Sequence, residues 1–318
     1  MLQSPGSAPI DKIGASGQPG VETVDAVDAV DTGLSAVAPA ATGAGLAELN
    51  LPAPFQARRF DVLGVHISAV NRARALAAIA NWIDRRDRHY VCVTGVHGVM
   101  ESQRDPELLA IHNASGLTVP DGRPMLWAGQ FSGLGEQTGQ VRGSDLMLDV
   151  CQTAAERGWT SYFYGGKDGV PELLAEKLKA RFPGLRVVGT YSPPFRALTP
   201  EEDEAIVAEI NRLNPDLVWV GLSTPKQERW MAAHRDRIDA PAMFGVGAAF
   251  DMHAGLVVKC PPILQRLGLE WLFRLTQEPK RLWKRYLTNN PRFVLGVLRR
   301  RPRALALAAS SSLPSQGR

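Results

Sequence analysis

The chain has few cysteines and does not group them. Cys92, Cys151 and Cys260 are odd in number, widely spaced, and form neither a CxxC pair nor a Cys/His cluster. That pattern supports neither a disulfide framework nor a zinc site, and it points to a reducing compartment. Also missing is any apolar run near the roughly 20 residues that a membrane-spanning helix needs. The N-terminus lacks a basic start followed by an apolar segment, so the chain reads as neither inserted nor exported by those routes. Catalytic signatures are absent too: there is no D-x-D triplet, no H-E-x-x-H, no G-x-S-x-G, no G-x-G-x-x-G and no Walker loop. These gaps weigh against a D-x-D metal clamp, the zincins, the serine hydrolases and the conventional NAD dehydrogenases.

Charge is unevenly spread along the 318 residues. Residues 1–55 carry Asp11, Glu22, Asp25, Asp28, Asp31 and Glu48 against Lys12, in a background of Ala, Gly, Pro, Ser and Val with no aromatic before Phe55. This composition predicts a disordered N-terminal extension. Residues 256–318 hold thirteen Lys/Arg against Glu270 and Glu278, a local charge of +11. Such a segment seeks anionic partners, whether lipid head groups, nucleic acid or phosphorylated substrates.

Between these ends the pattern is one of short β-rich runs alternating with helical stretches. Strands are expected at 90–94, 117–120, 160–164, 186–190, 217–221 and 242–246, with helices at 71–86, 105–115, 144–158, 170–182 and 199–213. Thr199-Pro200-Glu201-Glu202 is a helix start, with a capping hydroxyl, Pro in the first turn and acids at the positive end of the helix dipole. Crossovers of this length favour parallel pairing. The expected fold is α/β, a Rossmann-like and mostly parallel sheet flanked by helices, with a helical C-terminal appendage. The expected division is a core over 56–255, a basic amphipathic appendage over 256–303 and a disordered tail over 304–318. In the appendage, Leu264, Leu267, Leu269, Trp271, Leu272, Leu275, Leu282, Trp283 and Tyr286 recur at near-helical spacing beside Arg274, Lys280, Arg281, Lys284 and Arg285. This pattern fits either a helical pair packed on the core or a surface that docks on a membrane.

Several strand ends carry polar residues at the edge where open parallel sheets bind ligands. Thr94 follows an apolar run and either presents its hydroxyl to a substrate or caps the next helix. Asp121 follows Val119-Pro120 and precedes Gly122; it is either a general base or half of a common Asp-Gly turn. Tyr164-Gly165-Gly166-Lys167 offers backbone N–H groups to phosphate or ribose oxygens, although a plain strand-to-helix turn also wants glycine. Pro225-Lys226-Gln227-Glu228 reads as a helix start that brings Lys226 and Gln227 near that edge, or as a solvated turn. Gly245-Val246-Gly247 suits close approach of backbone to a ligand, or tight packing. Arg142 and Lys226 are the side chains available to neutralise phosphate charge.

Taken in order, these segments resemble the WecG/TagA/CpsF family of glycosyltransferases over residues 58–293. The carriers are Val93-Thr94, Val119-Pro120-Asp121-Gly122, Val141-Arg142-Gly143-Ser144-Asp145, Phe163-Tyr164-Gly165-Gly166, Val220-Gly221-Leu222 through Pro225-Lys226-Gln227-Glu228, Gly245-Val246-Gly247 with Phe250-Asp251, and Gly268-Leu269-Glu270-Trp271 through Arg274, Glu278-Pro279 and Arg281. The resemblance implies an inverting transfer of a hexose, such as N-acetylmannosamine, its uronic acid or glucose, from a UDP-sugar to an undecaprenyl-diphosphate-linked saccharide in surface or exopolysaccharide synthesis, with no cofactor or metal. It implies Asp121 as base, Thr94 as substrate contact, and Arg142, Gly165, Gly166, Lys226, Gln227 and Gly247 around the donor. Arg274, Arg281, Lys284 and Arg285 then face the acceptor diphosphate or an anionic membrane surface, in a cytoplasmic protein held at the inner face of the membrane. Self-association into a homo-oligomer is left open. This chain has Val96 where the family commonly has Asn. The competing reading, from the basic tail, is a nucleotide- or nucleic-acid-binding regulatory module; the lack of a continuous basic groove argues against nucleic acid.

Overall fold

Six short runs, five of them largely buried and the last, 186–191, a part-exposed edge, form one parallel sheet in the order 117–120, 89–94, 242–245, 217–221, 160–165 and 186–191. In the computed structural model, which describes residues 56–258, 260–261, 263–264 and 269–306, these strands are β3 (His89–Thr94), β4 (Leu117–Pro120), β5 (Thr160–Gly165), β6 (Arg186–Tyr191), β7 (Leu217–Gly221) and β8 (Ala242–Gly245). The expected extension at 1–55 and most of the expected tail lie outside the described residues. Each expected strand is present; the five buried ones read as nearly unbroken apolar runs, as strands covered on both faces do, and the part-exposed β6 reads from its β-branched residues. Side-chain alternation divides the core in two. Val91, Phe163, Trp219 and Phe244 point to one face, where the Trp219 ring stacks on Phe244 at 4.4 Å. Tyr90, Cys92, Tyr164, Val218 and Met243 point to the other.

Helices α1 (Arg72–Arg85), α5 (Gly143–Arg157) and α6 (Val170–Arg181) contribute to the first face, and α7 (Pro200–Leu213) and α8 (Lys226–His234) to the second. The Thr199 start of α7 is a full capping box: Glu202 N–H donates to Thr199 Oγ1, and Thr199 N–H donates to the Glu202 carboxylate. This reciprocal pairing satisfies two otherwise orphaned donors. The α1 and α5 helices are joined by Arg72, whose guanidinium grips the buried Asp149 carboxylate.

Some of the fold was not expected from the sequence. A hairpin of β1 (Arg59–Val62) and β2 (Val65–Ser68) turns at Leu63 and Gly64, both with positive φ. The two-residue β9 (Arg303–Ala304) pairs with β1 to complete a small antiparallel sheet. Short helices α2 (Val96–Ser102), α3 (Pro106–Ala114), α4 (Arg123–Phe131) and α9 (Ala249–His253) fill the connections, α3 where it was expected. Phe60, Val62, Val65 and Ile67 of the hairpin form a third apolar cluster with Val99, Met100, Met125 and Phe293. Val96 packs at the margin of this cluster.

The C-terminal helices are α10 (Glu270–Gln277) and α11 (Pro279–Arg299). Leu282 and Phe293 of α11 are buried, Phe293 in the hairpin cluster, while Trp271, Leu272, Trp283, Leu287, Val294, Leu295 and Leu298 are exposed. Among the described residues no helix is long and apolar enough to cross a membrane.

Candidate active site

Parallel strands deliver their carboxyl ends to one edge, so the polar turns after β3, β4, β5, β7 and β8 share a single rim. The tightest junction joins the first two. Thr94 lies opposite Pro120 in register, and the Asp121 N–H donates to the Thr94 carbonyl at 3.0 Å. A Cβ at Gly95 would stand 2.9 Å from the Asp121 carbonyl oxygen, so glycine lets the two turns close on each other. Thr94 does not cap α2: Gly95 holds that position and makes no side-chain capping bond. The Thr94 hydroxyl is buried, 1% exposed, and has no hydrogen-bond partner among the described residues.

Asp121 keeps part of its surface open beside this junction. Its pKa is pushed up to about 6, first by burial; Arg274 pulls it down, Glu270 raises it, Arg142 lowers it and Asp145 raises it. At neutral pH the group is therefore mostly ionised yet more basic than an exposed carboxylate, as a general base requires. Gly122 follows with φ +84, turning the chain sharply into α4.

Arg142 is tied to the same place through the main chain, since the Val141 N–H donates to the Pro120 carbonyl at 2.9 Å. Its side chain lies 3.0 Å from Glu270 and 3.3 Å from Asp145. Burial opposes its charge, but these two carboxylates more than restore it and raise its pKa. Glu270 opens α10, so the C-terminal helices put both a cation, Arg274, and an anion, Glu270, beside Asp121.

On the other side of the rim, Gln227 is buried under the end of β8, its Oε1 placed where a Cβ at Gly247 would come within 3.2 Å. Its neighbour Lys226 points outward and is exposed. The glycine turn after β5 serves packing: a Cβ at Gly165 would meet the Gly221 backbone at 2.8 Å, and the Gly166 N–H already donates to the Gly221 carbonyl. That N–H is thus taken within the protein, so the expectation of a free donor there is corrected. Arg285 lies near His97, whose pKa falls to about 3 through burial and then the nearby Arg285 and Arg104. Lys284 is exposed, and the Arg281 side chain is outside the described residues. Among the described residues no group of three or more His, Cys, Asp or Glu could hold a metal ion.

Sequence reasoning missed Glu270 and Glu228. Glu270 stood only in a motif of the appendage, and Glu228 looked like an ordinary acid in a helix's first turn.

Comparison with known proteins identifies the family. A model of the glycosyl transferase WecG/TagA/CpsF family matches residues 60–306. An N-acetylglucosaminyldiphosphoundecaprenol N-acetyl-beta-D-mannosaminyltransferase of Bacillus subtilis is 27% identical over 230 residues, covering 70% of this chain and 86% of that protein. A protein of the same name from Bacillus spizizenii is 26% identical over 218 residues, covering 69% and 82%.

Proposed function

Because the chain belongs to the WecG/TagA/CpsF family of glycosyltransferases, we propose that it transfers a hexose from a UDP-sugar, with inversion, to a saccharide on undecaprenyl diphosphate at the membrane surface. The observation that carries this reading is Asp121, a carboxylate with a pKa near 6 at the sheet edge between an unpartnered threonine hydroxyl and the cations Arg142 and Arg274. Asp121 takes the proton from the acceptor hydroxyl as that oxygen bonds to the anomeric carbon. The bond from that carbon to the diphosphate breaks, and UDP leaves with the electron pair. Arg142 and Arg274 offset the growing negative charge, so the step runs without a metal. N-acetylmannosamine is the sugar to test first, because both relatives are named for it.

The apolar face of α11 supports docking at the bilayer rather than on nucleic acid, since Leu287, Val294, Leu295 and Leu298 offer no phosphate contact. The test is purified protein with a panel of UDP-sugars and N-acetylglucosaminyl-diphosphoundecaprenol in vesicles. A β-linked disaccharide product, unaffected by EDTA, is expected; no transfer from any UDP-sugar would overturn the assignment.

A further inference from the structure

Glu228 is fully buried in the first turn of α8. One of its oxygens, Oε1, accepts two hydrogen bonds, from the Gln227 Nε2–H at 3.0 Å and from the Thr224 hydroxyl at 2.9 Å. A carboxylate oxygen accepting at this point requires the Gln227 amide to turn its NH2 toward Glu228. The amide oxygen must then face the other way. It does so against the Gly247 turn, where the residue is 3% exposed and Oε1 has no partner among the described residues. Gly247 has φ +49 and no side chain, and a Cβ there would stand 3.2 Å from that oxygen, so the glycine leaves the oxygen facing the turn uncrowded. A buried acceptor left unpaired is destabilising, and such atoms in a native fold call for a partner.

We infer that Glu228 is a positioning residue: it locks the Gln227 amide so that the site presents the nucleotide-sugar with a hydrogen-bond acceptor at the Gly247 turn, selecting donors that carry a neutral N–H or O–H there. This rests on the donor being a UDP-sugar, as proposed above. The matching group is either the imide N–H of the base or a ribose hydroxyl.

Calorimetric titration with UDP, N3-methyl-UDP and 2′-deoxy-UDP separates the two. Wild-type protein is expected to bind one analogue about tenfold or more weakly than UDP, because a site built around one hydrogen bond rejects the ligand that lacks it. The analogue rejected identifies the group. In Glu228→Gln the new amide can donate as well as accept, so Gln227 is free to flip. Discrimination should fall below about threefold, with the melting temperature little changed and the loss appearing in KM for the donor rather than in kcat. A folded Glu228→Gln protein that keeps full discrimination overturns the inference, as does wild-type protein that binds all three ligands equally. If Glu228→Gln does not fold, Gln227→Met must abolish the discrimination, and retention overturns the inference. If wild-type protein binds none of the three, the UDP-donor reading fails. The lock is then read directly by NMR, where slow exchange of the Gln227 side-chain amide protons supports it and free exchange refutes it.

Discussion

Leu287 and Leu298 on α11 are 69% and 72% exposed, whereas the Thr94 hydroxyl at the end of β3, a polar group, is almost wholly enclosed. The two regions reverse the usual distribution of polarity. At the sheet edge, a rigid framework of parallel strands and glycine contacts holds polar atoms out of water before any ligand arrives. On the C-terminal helices, apolar side chains remain in water although Phe293 and the β9–β1 pairing anchor the segment to the body. In the proposed function the first region orients and the second adheres. They meet at α10, where Glu270 touches Arg142 and Arg274 influences Asp121.

Changing the base tests the orienting region most severely. Asp121→Asn should keep donor binding but lower kcat for transfer by about a thousandfold, the range expected when a positioned base is lost. Titration calorimetry beside a transfer assay measures both. The same variant should be more stable above pH 6. Burial raises the Asp121 pKa from 3.8 to about 6, so the folded state favours the protonated form. Its relative stability is highest below pH 4 and declines as pH rises between those values, by up to about 3 kcal/mol. Asparagine removes that pH-dependent decline, and urea melts at pH 5 and pH 8 would show it. An Asp121→Asn protein with undiminished transfer would leave the orienting edge without its base.

The adhering region is tested by making it polar. Leu287→Gln combined with Leu298→Gln should cut binding to anionic vesicles by at least about a hundredfold, at roughly 1.5–3 kcal/mol per leucine no longer buried in lipid. Transfer to a vesicle-borne acceptor should fall with it, while transfer to a short-chain soluble acceptor should hold. Equal losses on both acceptors would mean that α11 serves packing around the active site.

These regions were unequally legible in the sequence. Five of the six strands could be read because burial leaves continuous apolar runs, the part-exposed β6 from its β-branched residues, and α7 because its cap is local chemistry at Thr199 and Glu202. The β1–β2 hairpin escaped because its turn puts Leu63 at positive φ, where Asn or Asp is the usual signal. Its partner β9 lies more than two hundred residues away, and two residues carry no strand pattern. Asp121 and Thr94 were visible as polar residues ending apolar strands. Gly165 had two readings, and contact with Gly221 explains it by packing. Glu228 and Glu270 could not be found locally, since a glutamate in a first helical turn looks solvated until tertiary structure buries it or brings it against an arginine.

The junction between the two regions gives the smallest effect and the most specific. Glu270 raises the Asp121 pKa and engages Arg142, so Glu270→Gln removes a negative neighbour from both. The Asp121 pKa must then drop, and the acid limb of the kcat/KM profile, which reports the free enzyme's base, must move from near 6 toward lower pH. Activity at pH 5.5 should exceed wild type by about twofold, with less change at pH 8, where the base is already ionised. A limb that stays in place would mean that α10 stands away from Asp121 in the working enzyme. The adhering helices would then deliver the protein to its acceptor without tuning the base that acts on it.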